Sequence, residues 1–417
     1  MQKVNILTLG CKVNEYESRV MRKLLQDAGY EVGEDLSWAE YYIINSCAVT
    51  AMSEKKSRQM MSKVRQINPK AKILVCGCAS EHNAKQFLNK GAFAVIGNAM
   101  KTDIVRILKE GQSCPYVLPL QYEHSAHALD TQSRQYIKVQ DGCNNFCSYC
   151  LIPYVRGRSR SRLLPDIIEE IQQTKCNEIV LTGIDVSDYQ IAGKPAMLEL
   201  IKAVDKCNIR FRLSSLEQGV IDENLIKYLA KSKNFCPHFH LSLQSGSNSV
   251  LKRMNRKYTR EQFLSCVDLI KRYFGDRAVF TTDIITGFIG ETEQDFLDTY
   301  DLCQRVGFYH IHAFPYSERQ GTKALMLQGE RVPVEIAKKR VKALETLEKQ
   351  LRQDVLNANL NKTHHVLVEK VEDGIAYGYT ENYIYASFIA DENVKDKIVP
   401  VLTDGIKNGV LFGKMAK

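Results

Sequence analysis

The segment Asp141-Gly142-Cys143-Asn144-Asn145-Phe146-Cys147-Ser148-Tyr149-Cys150 sets three thiols in the spacing C-x3-C-x2-C, just after a strand-like apolar run. Three thiolates on one loop can wrap three corners of a four-iron cluster, because thiolates are the usual iron–sulfur ligands. The fourth iron then has no protein ligand from this loop. An open coordination position is where a catalytic metal accepts a substrate or cofactor. The plain alternatives are a zinc site or buried free thiols. A zinc knuckle needs a fourth ligand at fixed spacing, yet the next cysteine is Cys176 and the next histidine is His238.

A second group of thiols is spread over the first 80 residues. Cys11 stands in LGCKVNEYES, Cys47 in INSCAVT and Cys78 in VCGCAS, each after a strand-like run. Strand ends at one edge of a parallel sheet converge, so these distant positions can meet and hold a second cluster. Three unrelated buried thiols are the competing reading, since free cysteine is among the most buried residue types. Cys76 is a confounder, because strand alternation puts it on the same face as Cys78. Cys114, Cys176, Cys207, Cys236, Cys266 and Cys303 lie in no motif and read as structural.

The elements that must position these thiols read as α/β throughout most of the chain. In residues 1–111, strand-like runs (Val4–Leu9, Tyr41–Asn45, Ile73–Val75, Phe93–Ile96) alternate with helical stretches (Asn14–Ala28, Ser53–Gln66, Lys101–Glu110). That pattern predicts an open parallel sheet with helices on both faces. Residues 112–133 lose the periodicity and read as a linker. From 134 to 359 six further strands are expected: Tyr136–Val139, Glu178–Thr182, Arg210–Ser214, His238–Leu243, Val279–Ile285 and Tyr309–Phe314. Helices lie between them, so a partial (βα)6 barrel is predicted, with function at the loops after the strands. A long charged helix, Pro333–Asn359, closes this part. Residues 360–417 turn to short alternating strands, a small all-β unit.

The chain has 417 residues, 44% of them hydrophobic and 25% charged, the balance of a folded protein. That length suggests two or three domains. No apolar run reaches the roughly 20 residues that span a bilayer, and the first residues do not read as a secretory signal, so a cytoplasmic protein with no membrane partner is expected. Thiols in that setting are more often ligands or core residues than disulfides. The formal charge of +9 suits a nucleic-acid partner without requiring one.

The cysteine triplet resembles the radical S-adenosylmethionine (SAM) signature, and KVQDGCNNFCSYCLIPYVRGRSRSR (138–162) resembles the methylthiotransferase branch of that superfamily. The resemblance covers essentially the whole chain. It implies an N-terminal methylthiotransferase domain, a radical SAM partial barrel and a C-terminal TRAM domain. It also implies two [4Fe-4S] clusters, one on Cys143, Cys147 and Cys150 and an auxiliary one on Cys11, Cys47 and Cys78. Cys78 is preferred to Cys76 because the family motif is Gly-Cys after the strand. SAM would chelate the open iron of the first cluster, and electron donation would cleave it to a 5′-deoxyadenosyl radical. A second SAM would supply the methyl group to a sulfur on the auxiliary cluster. LGCKVNEYES, the triplet segment and GYTENYI resemble the subgroup that acts at C2 of N6-threonylcarbamoyladenosine at tRNA position 37. The alternatives are methylthiolation of N6-isopentenyladenosine, a ribosomal-protein methylthiotransferase, and a non-catalytic iron–sulfur RNA-binding protein. An electron donor and a sulfur donor are implied partners beside tRNA.

Strand ends supply the expected SAM contacts: Gly183 in LTGID, Ser214 in RLSSLE, Gln244 in LSLQSGS and Asp283 in DIITGFIGET. Each is also what an ordinary turn looks like. Arg156, Arg158, Arg160 and Arg162 alternate along VRGRSRSR and would share one face of an extended strand. With Arg319 in YSERQGT and the basic run Lys55–Lys72, they are the expected contacts to RNA phosphate. A solvated surface or turn is the alternative for each.

Overall fold

The structure is a computed structural model that describes residues 2–113, 118–123, 127–128 and 133–416. Half of the predicted linker lies outside the described residues, as does Cys114. Among the described residues, the first unit is a five-stranded parallel sheet in the order β2-β1-β3-β4-β5. Its strands are β1 (Lys3–Thr8), β2 (Glu31–Gly33), β3 (Tyr41–Ser46), β4 (Lys72–Gly77) and β5 (Ala94–Val95). Helix α1 (Lys12–Asp27) crosses from β1 and helix α2 (Ala51–Ile67) from β3. The two cores lie on opposite faces. Met21 and Leu25 of α1 pack with Val4, Ile6 and Leu74 on one. Met61 and Val64 of α2 pack with Tyr42, Ile44 and Val75 on the other. The edge strand β2 is short and half exposed, which is why its hydrophobic signal is weak in the sequence.

The second unit contains β6 (Arg134–Lys138), β7 (Glu178–Thr182), β8 (Arg210–Leu213), β9 (His238–His240), β10 (Val279–Thr286) and β11 (His310–Pro315). They form two parallel sheets, β8-β7-β6 and β9-β10-β11. Single bridges Phe211–Phe235 and Leu216–Leu241 join the two, so the six strands curve into an open barrel. Helices such as Met197–Asp205, Arg260–Phe274 and Glu293–Val306 wrap it. The long helix Val334–Ala358 lays Leu344, Leu347 and Leu351 on the same core. No helix of the described residues is long and apolar enough to cross a membrane.

The C-terminal unit is a closed barrel of five strands, consistent with a TRAM fold. The strands expected from the sequence at His365–Val371, Gly374–Tyr379 and Tyr383–Ile389 are Thr363–Glu372, Ile375–Tyr379 and Tyr385–Ile389, and Ile398–Lys407 and Val410–Met415 close the sheet. It docks on the base of the central barrel through buried Glu178. Burial raises this carboxyl, but Arg212, Arg210 and Arg134 outweigh it and hold it at about 2. Arg212 also donates to the carbonyls of Thr380 (2.7 Å) and Glu381 (2.8 Å).

The first two units are fastened where Tyr16 of α1 donates at 3.1 Å to Glu170, a buried carboxylate of the second unit that pairs with Arg162. Replacing Arg162 with Ala leaves the Glu170 charge uncompensated in the interior. The expected loss of unfolding free energy is about 3–5 kcal/mol, the cost of removing one partner of a buried pair. A urea titration followed by circular dichroism checks it, and a midpoint unchanged from wild type would refute it.

Candidate cluster sites at the strand ends

Each auxiliary-site cysteine sits within three residues of a strand's end. Cys11 caps α1 after β1, Cys47 follows β3, and Cys78 opens a short helix after β4. Close approach demands glycine twice here. Gly10 (φ +104°) brings the chain so near Cys47 that a Cβ would lie 2.9 Å from its Sγ. At Gly77 (φ +99°) a Cβ would lie 2.3 Å from the Ser46 carbonyl. The positive φ also breaks strand alternation. Cys76 therefore packs with α1 on one face while Cys78 packs with α2 on the other. The expectation that both share a face is corrected: the strand ends between them. Asn14 ties the loops together, donating to the carbonyls of Leu9 (2.8 Å) and Ser46 (3.0 Å). The Gly10 contact brings Cys11's loop against Cys47, and the register Ser46–Gly77 between β3 and β4 sets Cys47 and Cys78 at adjacent strand ends. Burial pushes Cys47 up to about 11.

The triplet loop follows β6. Its Gly142 (φ +71°) leaves no room for a side chain, since a Cβ would sit 2.0 Å from the Arg158 carbonyl. The loop is clamped from the barrel. Ser148 N–H bonds the Met254 carbonyl (3.0 Å), and Asn255 donates to the carbonyls of Asn145 (3.2 Å) and Phe146 (2.8 Å). The three sulfurs interact with one another. Peptide N–H groups of Asn145 and Ile152 point at Cys143 and Cys150 (3.4 Å each), and the Arg256 guanidinium donates to Cys147 (3.2 Å). Cys143 and Cys150 are raised by burial, Cys150 to about 12.

Among the described residues, no three Cys, His, Asp or Glu side chains are close enough to share one metal ion. A four-iron cluster spreads its thiolates, one to an iron, and takes hydrogen bonds to sulfur. Both cysteine sets fit that description in donor type, convergence and N–H groups aimed at sulfur. Two buried oxygens without partners, Ser214 Oγ and Asp185 Oδ1, lie just past β8 and β7 and suit a polar cofactor. Burial and the nearby Glu217 and Asp188 push Asp185 up to about 6.

The two sets are neighbours. Arg156, six residues past Cys150, reaches Cys78 Sγ with its Nε at 3.2 Å. A cavity of about 190 Å³ is lined by Ala48–Thr50 beyond Cys47, by Cys150, and by Gln244 and Asp283 of the barrel. A larger one of about 810 Å³ is lined by Cys11, Lys12, Gly183, Ser214, Asp283 and three tyrosines of the C-terminal barrel, Tyr379, Tyr383 and Tyr385. Gly183 and Ser214 thus line the cavity with Cys11, Gln244 lines the one with Cys150, and Asp283 lines both. Asp283 is held by His240 and His312 (3.2 Å each), which outweigh its burial and lower it.

The arginines expected to meet RNA are differently placed. Arg156, Arg160, Arg162 and Arg319 are buried and bound to carboxylates: Glu17 and Asp141, Glu123 and Asp141, Glu170, and Glu54 respectively. This corrects the expectation. The segment after the triplet is not one extended strand but a short helix (Ile152–Val155), a turn and a two-residue strand (Arg160–Ser161). Its guanidiniums turn inward to acids from distant elements. Only Arg158 of the alternating four is exposed, stacked on Phe146 at 4.3 Å. Sequence reasoning missed Asn14, Glu17, Asp185 and Arg256. The signal for Glu17 is a charge on the buried face of α1, between Val13, Tyr16, Val20 and Met21.

Comparison with known proteins places this geometry. The Radical SAM superfamily matches residues 137–303, and an uncharacterized protein family, UPF0004, matches residues 3–97. In fold, the chain is similar to the radical S-adenosylmethionine methyltransferase TsrM from Kitasatospora setae (TM-score 0.55, 14% identity, 75% of this chain and 72% of that one). Barrel, triplet and sequence match together define a radical SAM protein. Over its length the chain is 39% identical to threonylcarbamoyladenosine tRNA methylthiotransferase MtaB of Chlamydia pneumoniae, covering 98% of this chain and 97% of that one. It is 33% identical to tRNA-2-methylthio-N(6)-dimethylallyladenosine synthase of Acetivibrio thermocellus, covering 98% and 90%. The chain belongs to the tRNA methylthiotransferase family.

Proposed function

We propose that this chain is an enzyme that converts N6-threonylcarbamoyladenosine at tRNA position 37 to its 2-methylthio derivative, with two [4Fe-4S] clusters and SAM as cofactors. The observation that carries the reading is the adjacency of two cysteine triads at the strand ends of two α/β units, in a chain whose full-length relatives bear that activity. An aryl C–H has no easy polar route, so the hard step belongs to a cofactor. When bound, the cluster on Cys143, Cys147 and Cys150 would supply reductive cleavage of SAM, and the cluster on Cys11, Cys47 and Cys78 a sulfur site.

The chain's own residues do the rest. Arg256 and the loop's peptide N–H groups stabilise thiolate at the triplet. Gly183, Ser214, Gln244 and Asp283 line the approach. Exposed Lys55, Lys56, Lys63 and Lys70 on and just after α2, with Arg158, offer cations to the RNA backbone. A one-electron donor and a sulfur donor complete the reaction.

Nucleoside mass spectrometry of tRNA, from a strain lacking this protein and from the same strain carrying it, tests the reading. The methylthio mass increment is expected on threonylcarbamoyladenosine only when the protein is present. An increment that moves with the protein on dimethylallyladenosine instead would overturn the substrate assignment.

A further inference from the structure

Arg156 belongs to the central barrel, yet its guanidinium reaches the auxiliary site. It has no solvent exposure. Nε donates to Cys78 Sγ at 3.2 Å. Nη1 bonds Glu17 (2.8 Å) and Asp141 (3.0 and 3.2 Å), and Nη2 bonds Glu17 (3.0 Å) and Asn14 (2.7 Å). Asp141 in turn accepts the N–H of Gly142 at 2.7 Å, directly before Cys143. One side chain therefore spans from a sulfur of one cysteine set to the loop that carries the other.

Among the described residues, acids and cations meet around it. The ion-paired network holds three carboxylates, Glu17, Asp141 and Glu123, and four cations, Lys101, Lys138, Arg156 and Arg160. Glu81 is a fourth carboxylate nearby, with an oxygen on the Asn98 N–H (2.6 Å). A buried cation is costly unless an anion meets it. The atom on which the network ends is Cys78 Sγ. Hydrogen bonds and positive charge at cluster sulfurs make a cluster easier to reduce.

We propose that Arg156 is a positioning residue that hydrogen-bonds the Cys78 sulfur and raises the reduction potential of the auxiliary cluster, while tying that cluster's place to the triplet loop. The inference rests on Cys78 being a ligand. Arg256, on Cys147, is its counterpart at the other set.

The test is an EPR-monitored redox titration of anaerobically reconstituted full-length protein with Cys143, Cys147 and Cys150 replaced by Ala, so that only the auxiliary cluster reports. Arg156→Met is expected to lower the reduced-to-oxidised ratio at a fixed potential about tenfold, which is 59 mV for one electron. Arg156→Lys keeps the charge but loses the directed N–H, and a smaller shift in the same direction is expected. Arg256→Lys is expected to leave this potential unchanged. A wild-type potential in Arg156→Met overturns the proposal. If that variant does not fold or load iron, Arg156→Lys decides, and a wild-type potential there overturns it. Failure of the ligand assignment looks different: the protein with Cys11, Cys47 and Cys78 intact but the triplet replaced would then hold no cluster at all.

Discussion

Cys147→Ala is expected to abolish 5′-deoxyadenosine formation and tRNA methylthiolation together, by at least about 10³-fold, the scale for removing one member of a unit that acts as a whole. The loop leaves no substitute ligand. Ser148 is turned away onto the Met254 and Arg253 carbonyls, and Asn145 is committed to Asp185 at 2.8 Å. Removing the thiol also strands Arg256, whose Nη1 faces that sulfur at 3.2 Å while Nη2 pairs with Glu217. Two thiolates on Cys143 and Cys150 do not hold a four-iron cluster with one open corner. Chromatography of 5′-deoxyadenosine from dithionite-reduced enzyme with SAM is the measurement. Wild-type SAM cleavage by the variant would refute the assignment of the triplet.

The barrel was legible because most of its strands are buried and rich in β-branched and aromatic residues. Runs such as Glu178–Thr182 (EIVLT) and Val279–Thr286 (VFTTDIIT) lie between amphipathic helices, and the structure places strands there. The last two strands of the C-terminal barrel escaped. Ile398–Lys407 carries a register shift near Thr403 and Gly405, and its buried residues thin out toward Lys407, so strict alternation fails. The triplet was legible because its ligands are local. The auxiliary set was legible only as three separate strand ends, since what joins them is the order of strands in the sheet.

The arginines show what spacing alone conceals. Arg156, Arg158, Arg160 and Arg162 alternate as a phosphate-binding face would. Their partners, Glu17 on α1 and Glu170 on the helix Leu164–Gln173, are acids whose proximity is set by domain packing. Val155 is buried in the core of the first unit beside Met61 and Ile44, and this draws the following Arg156 inward with it. Burial of a guanidinium needs paired acids, and helix α1 provides one at Glu17, a charge on its buried face that Lys101 and Lys138 also meet. Arg319 is a parallel case. Its loop docks on the first unit through Glu54, with Ser317 accepting from the Ala51 N–H at 3.2 Å and the Gln320 carbonyl 3.0 Å from His82.

The other large expected effect separates the two halves of the chemistry. Replacing Cys11, Cys47 and Cys78 together by Ala is expected to halve bound iron, from about eight to about four per chain, because each set holds one four-iron cluster. SAM cleavage should persist, since the triplet loop takes its support from Met254, Asn255 and Arg256 of the barrel and none from these thiols. Methylthiolated nucleoside should fall by at least about 10³-fold, because the step that needs both sets loses one of them entirely. Cys76→Ala should keep both clusters, since that thiol points into the apolar face with Val4, Ile6 and Met21. Iron and sulfide analysis, chromatography of 5′-deoxyadenosine and nucleoside mass spectrometry read the three quantities on one preparation. If the triple variant kept full iron, the auxiliary ligands would have to lie elsewhere. If it lost SAM cleavage as well, Cys150 and Cys78 would be joined by more than proximity, with Arg156 the one side chain that bonds both Cys78 and the Asp141 carboxylate beside the triplet.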